Sequence, residues 1–496
     1  MHTLKWTVLG LVFAAATPGA MTLAAQETSG QATHNTYRVI VLPPDGGADS
    51  FFAGYLFYAP LTPEGTAGVI GDTGTPGVFN SYTWTDGQRV GLQPLPQLPN
   101  LTGTGTYINW INQWRVSAGY GTRTDSTTGV SYDHAAVWAP NGQIVPLGTP
   151  AGAQSRAVWI NDLGQASGWI AAGSIVDPCS FGAGFRSQAV VWVLGVPHPL
   201  GNLGGTDSYG EFINDLGQIS GHAQTSNVVD PNLGCPPFDP FVWQGGKMTD
   251  INPGNFGGAE GGTNFLNNHG DAVGFGTLLG ESLNHAFLWR DGKLTDLTSV
   301  GSLGAQQDSA FNVNEEGHVV GVSTTPEGAI LGVLWRNAEF TNLASLSAEG
   351  DDCSEPFRIN SEDQVVGVSF SCETGAEHAF LWEHGRMVDL NSLIPADSGL
   401  QLLAANWIDD DGVIAAQAVV TAGSASGASR AVLLIPSGQC ADNGPAASAT
   451  ASHEAVARLA TGAATRGAFL HTPEGRVNPL LVRPFDPARL LGLKDH

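Results

Sequence analysis

A nonapeptide that returns along the chain restricts the possible folds more than any other feature. Ile160-Asn161-Asp162-Leu163-Gly164-Gln165-Ala166-Ser167-Gly168 comes back as Ile213-Asn214-Asp215-Leu216-Gly217-Gln218-Ile219-Ser220-Gly221. Looser copies begin at Asn112, Asn267, Asn314, Asn360 and Asp409. From Asn112 to Asn360 a Gly stands seven residues after the Asn, as in Gly274, Gly321 and Gly367, and Gly270 and Gly317 repeat the Gly at the fourth place. Asn, Asp and Gly tolerate positive φ, so Asn-x-x-Gly reads as a tight turn between two strands. A unit repeated in this way cannot bury both its faces alone and must cover them with its neighbours.

A second motif keeps phase with the first: a small residue, two apolar residues, then Trp. It gives Trp84, Trp138, Trp192, Trp243, Trp289, Trp335 and Trp382, with Leu434 at the eighth place. The spacings between them are 54, 54, 51, 46, 46, 47 and 52 residues. Strand side chains alternate between faces, so these residues are read as blade-packing positions, with the small residue allowing close approach of the next sheet. After Trp comes a second turn, such as Asp291-Gly292, and a short strand. The unit ending at Trp289 holds four strand-like runs, 247–251, 263–266, 271–276 and 285–289. Four short strands per unit, repeated radially, predict an all-β propeller of about eight four-stranded blades, or seven if one N-terminal unit is irregular. The run Tyr37-Arg38-Val39-Ile40-Val41-Leu42 matches the last strand of a unit. It is expected to complete the C-terminal unit and remove an open sheet edge.

Composition agrees. The 66 Gly and 29 Pro, with only 13% charged residues, favour turns and short strands over helices. The net charge of −25 repels nucleic acid and anionic membranes. Residues 1–25, with Lys5, an apolar run from Trp6 to Ala16 and a small-residue site at Ala24-Ala25, read as a secretory signal. Residues 26–36 read as a linker, 37–437 as the propeller, 438–466 as an Ala/Ser/Thr-rich linker, and 467–496 as a tail with a degenerate half-repeat. No later stretch is apolar for long enough to span a bilayer. A soluble monomer, secreted or periplasmic, is expected.

The His285-Ala286-Phe287 and His378-Ala379-Phe380 runs, with the Asn-x-x-Gly-x-x-x-Gly hairpins, resemble the bacterial extracellular HAF-repeat family over about 400 of 496 residues. The resemblance implies export, an autotransporter barrel in some members, and no established activity. The stretch after the repeats is too short for such a barrel, and Gln188, Asp239 and Leu331 replace the His in several units.

With strands lettered a to d from the ring centre outwards, the tight a–b and c–d turns share one face. The irregular b–c and d–a loops, including 94–106, 171–187, 202–211 and 224–240, share the other. Function is expected on those loops and at the mouth of the channel. Cys353 and Cys372 flank one a–b hairpin, and Cys179 and Cys235 lie in b–c loops of adjacent units, so these are the disulfide candidates; Cys440 is left over.

No nucleophile elbow, paired metal-ligand motif or phosphate loop is present. His134, His285 and His378 hold equivalent places in separate units, too far apart around a ring to share a metal. Asp409-Asp410-Asp411 and Glu349 with Asp351 and Asp352 offer oxygens to Ca²⁺, but without the alternating spacing of a calcium loop, so turn residues are the reading preferred. No cofactor or catalytic residue is assigned. The function expected is binding or scaffolding of an extracellular ligand, a glycan or a protein. The alternative is a propeller hydrolase or lyase acting on polysaccharide or peptide.

Overall fold

The structure, a computed structural model, describes residues 37–437 apart from 53–57, 151–152, 177–178, 180–184, 232–233, 253–255 and 280–282. The assigned signal (1–25), both linkers, Cys440 and the tail lie outside the described residues.

Eight four-stranded antiparallel blades follow in chain order: residues 50–91, 101–146, 154–199, 208–250, 257–296, 308–344, 353–389 and 400–436. The last has three strands of its own, and Tyr37–Leu42 supplies the fourth, pairing Tyr37 with Pro436 and Leu42 with Ala431. Each blade packs on the next, and the last packs on the first, so the ring is closed. Eight blades, not seven, are present. Blades 4 and 5 are also joined by a parallel bridge between Phe238 and Glu260.

The recurrent Gly seven residues after each Asn has a steric cause. The inner strand carries a bulge, for example between Ala157 and Trp159, which swings a carbonyl towards the neighbouring strand. A Cβ on Gly168 would stand 2.1 Å from the Arg156 oxygen, and on Gly221 2.0 Å from that of Tyr209, so any side chain collides with backbone. Blade 8 has Ala416 there and carries a second bulge in its inner strand, between Leu402 and Ala404.

The recurrent Asn does more than turn the chain. Asn161 Oδ1 accepts from Gln165 N, closing its own hairpin, while Nδ2 donates 3.0 Å to the Asn214 carbonyl of the next blade. Asn112, Asn214, Asn267, Asn314 and Asn360 repeat that inter-blade bond at 2.8–3.0 Å. The bonds are buried, which makes each partner costly to remove. Trp138, Trp192 and Trp335 lie buried between blades, and their indole N–H groups donate to the carbonyls of Gln93, Gly148 and Gly301 in the preceding connection. Buried Trp needs such an acceptor, which Phe would leave empty. Trp84, Trp243 and Trp289 are half-buried, and Trp382 is buried.

Two disulfides staple the loop face. Cys179–Cys235 links blades 3 and 4, and Cys353–Cys372 clamps the outer end of a hairpin in blade 7. Among the described residues no helix is long and apolar enough to cross a membrane.

Candidate functional site

The bulge also aims a side chain. Two residues before each repeat Asn, blades 2 to 5 and 8 place Trp110, Trp159, Phe212, Phe265 and Trp407 around the central channel, and blades 6 and 7 place Asn312 and Arg358. Blade 1 contributes differently. Its inner strand is described over Ser50–Phe52, and Tyr58 lies in the centre of the ring, 5.4–6.1 Å from Trp159, Phe212, Phe265 and Trp407. Its hydroxyl is 2.6 Å from the Phe311 carbonyl and 3.0 Å from that of Asn264. Burial pushes this phenol far up, so it stays a neutral donor. Tyr58 therefore stoppers the channel.

On the tight-turn side of the stopper is a cavity of about 380 Å³. Its floor is formed by Trp110, Trp159, Phe265, Trp407 and Arg358. Trp110 and Trp159 stack on each other at 3.6 Å, so their facing surfaces are occupied. The Arg358 guanidinium lies 4.1 Å over Trp407 and donates to Asn312 Oδ1 at 2.9 Å, while its Nε is buried with no partner. Burial lowers its pKa.

The rim is a ring of acceptors from the residue after each Asn. Asp162, Asp215, Asn268, Glu315 and Asp410 each accept the backbone N–H of the equivalent residue one blade back, at 2.8–3.2 Å. Asn268 performs this task without charge, so the ring needs oxygens, not carboxylates. Four of those five oxygens nevertheless belong to acids, and Asp409 and Asp411 also line the cavity. The charges repel: burial first, then Asp215, pushes Asp162 up to about 6. Asp409 is 8% exposed and is pushed up to about 7 by burial, with Asp411 and Asp410 adding to it.

Function was expected on the irregular loops and at the channel mouth; this cavity lies at the mouth, on the side of the tight turns. Tight turns crowd the axis, and the bulges lie near the turn ends of the inner strands, so the converging side chains meet on that side. Conventional turn chemistry hid them. The row of aromatics two places before Asn is the signal in the sequence that marks them.

The loop side holds a different cluster. His222 Nδ1 lies 3.3 Å from Glu211 Oε1, both buried, and the imidazole stacks on Tyr209 at 5.1 Å. Arg156 bonds the buried Asp133 at 2.8 Å and covers the Tyr120 ring at 4.3 Å. Burial pushes Asp133 up to about 6 against the pull of Arg156. His285 and His378 pair with Asp296 and Asp351, each at 3.0 Å within its own part of the ring. Among the described residues, the group of His, Cys, Asp and Glu atoms near enough to share an ion is Asp352 with Cys353 and Cys372, whose sulfurs are already joined to each other. Asp409, Asp410 and Asp411 do not converge in that way.

Fold and site together define an eight-bladed β-propeller with a stoppered channel and one acidic open end. No family model and no curated protein matches the chain. Solved structures that resemble it include the β-propeller domain of the Trilobed protease from Pyrococcus furiosus, with 12% identity, TM-score 0.34, and coverage of 68% of this chain and 98% of that one. An ulvan lyase bound to its saccharide gives 12%, 0.34, 76% and 93%. The Aleuria aurantia lectin gives 10%, 0.24, 58% and 96%. Likeness at this level carries nothing about activity.

Proposed function

We propose that this is an exported bacterial protein of the HAF-repeat type, monomeric, whose propeller binds a basic polypeptide segment at its tight-turn mouth without turning it over. The observation that carries the reading is the excess of carboxylates on the rim over what the hydrogen-bond ring requires. Cationic side chains fit that rim. Trp110 and Trp159 are buried and turn one face of each ring to the other, which leaves little aromatic surface for a sugar and weighs against a glycan. The two disulfides and the N-terminal sequence support export.

Replacing Asp162, Asp215 and Asp410 together by Asn keeps the acceptor ring, as Asn268 does naturally, and removes three charges. Calorimetry with a synthetic Lys/Arg-rich octapeptide at low salt is expected to show at least tenfold weaker binding to this variant, with a melting temperature that is not lowered. Unchanged affinity would refute the reading. Because the folded pKa of Asp162 is raised to about 6, its charge is present above that pH and lost below it. Binding by the native chain should therefore weaken from pH 7 to 5.

A second reading rests on the buried His222–Glu211 pair beside Tyr209, a set able to exchange protons on the loop side. It makes the protein a hydrolase or lyase for polysaccharide or peptide. Turnover of a polysaccharide or peptide panel that disappears in His222→Gln would establish it, and no turnover by the native chain would remove it.

A further inference from the structure

The turn residue two places after each repeat Asn divides the tight-turn face into halves. Blades 2, 3 and 4 present Trp114, Leu163 and Leu216, which are 44%, 68% and 61% exposed. Blades 6, 7 and 8 present Glu316, Glu362 and Asp411 at the same place, all exposed, with Glu315 and Asp410 beside them; in blades 3 and 4 the half-buried Asp162 and Asp215 put charge only on the inner edge of the apolar half. Equivalent turns need no side chain in particular at this solvent-facing position. A row of large apolar groups facing a row of acids across one opening is therefore the surface of a docking site for something both basic and greasy.

The chain itself contains such a segment. From residue 466 onwards it carries Arg466, Arg476, Arg483, Arg489 and Lys494 against Glu474, Asp486 and Asp495, in a protein whose net charge is −25. Between the cations stand Leu480-Leu481-Val482 and Leu490-Leu491. The place where the described chain ends puts this segment within reach. Strand c of blade 8 runs towards the tight turns and finishes at Pro436, whose ring would be 3.5 Å from a Cβ on Gly412, in the turn that bears Asp410 and Asp411. The connecting stretch 438–465 spans up to about 90 Å when extended, so it can reach any point of the rim. Tethering of this kind gives an effective concentration on the order of millimolar, enough for a weak site to be occupied. The segment is not needed to close the ring, because Tyr37–Leu42 already does so.

We propose that residues 466–496 dock in cis across the acidic and apolar halves of the tight-turn face. This rests on the reading of the mouth as a site for basic polypeptide, and makes the protein's own C-terminal segment a competitor for external ligand.

The test is hydrogen exchange on the full chain at low salt. The native protein is compared with a tail variant (Arg476→Glu, Arg483→Glu, Arg489→Glu, Lys494→Glu) and a face variant (Glu316→Lys, Glu362→Lys). Amides of 476–494 are expected to exchange at least tenfold more slowly in the native chain than in either variant, independent of protein concentration. Equal exchange in all three overturns the proposal, and protection that grows with concentration overturns it in favour of a second copy. A synthetic peptide of residues 474–496 separates the two readings. It should bind the tail variant at least tenfold more tightly than the native chain. Equal binding to both sinks cis docking alone, and binding to neither sinks the mouth as a basic-peptide site as well.

Discussion

The seams between blades 2 and 8 differ from the seam that closes the ring. At each of the six repeat seams an Asn amide donates to the carbonyl of the next blade's turn. At the closing seam the equivalent residue is Asp409, facing a blade whose turn begins with Thr62. Asp409 Oδ1 accepts from Val413 N as an Asn would, but Oδ2 is buried without a partner. Closure depends instead on residues far apart in sequence. The N-terminal strand pairs along its whole length, Gln417 bonds the Ser50 carbonyl, Ser429 N bonds Asp49, and Ala431 N bonds Ser50 Oγ. A local code repeated six times holds the blades in line; one long-range strand exchange turns the line into a ring.

The largest effect that would sharpen this contrast is expected from Leu42→Ala. Leu42 is fully buried at the end of the closing strand, and its truncation should cost about 2–5 kcal/mol in denaturant unfolding. Asn214→Ala, at a single repeat seam, should cost less, about 2 kcal/mol, because it removes the bonds to Asn267 O and from Gln218 N but leaves five equivalent seams intact. If Asn214→Ala destabilised more than Leu42→Ala, closure would not be the weak point of the ring. Asp409→Asn should stabilise, and only at higher pH. The folded pKa of Asp409 is raised from 3.8 to about 7, so folding favours its protonated form, and that stability is full below about pH 4 and lost as pH rises to 7. A neutral carboxyl there is isosteric with Asn and can donate towards blade 1; a carboxylate cannot. The variant should gain on the order of 1 kcal/mol at pH 8 and nothing at pH 4, as read from paired melts. A pH-independent difference would show that Asp409 is not the titrating group.

Much of this architecture was legible because it repeats. The phase of Asn, Gly and Trp gave the blade count within one, and the strand-like run at Tyr37 pointed to the closure. What repeats did not always explain itself. Asn161 was readable as a turn former, but its bond to the Asn214 carbonyl exists only once a neighbouring blade is in place. The need for Gly168 lies in a carbonyl on another strand. The site was less legible, because its parts come one per unit and converge only at the ring axis. Tyr58 belongs to the one unit without the Asn motif, so no periodicity marked it. Loop length drew attention to the opposite face from this cavity, since irregular loops advertise themselves and a tidy ring of turns does not.

The position of Tyr58 has a consequence for transport. A shaft plugged by a phenol whose hydroxyl is tied to the neighbouring walls of blades 5 and 6 is not an open conduit along the axis. A ligand at the acidic mouth therefore meets the aromatic plug, not the loop side, unless the wall itself moves.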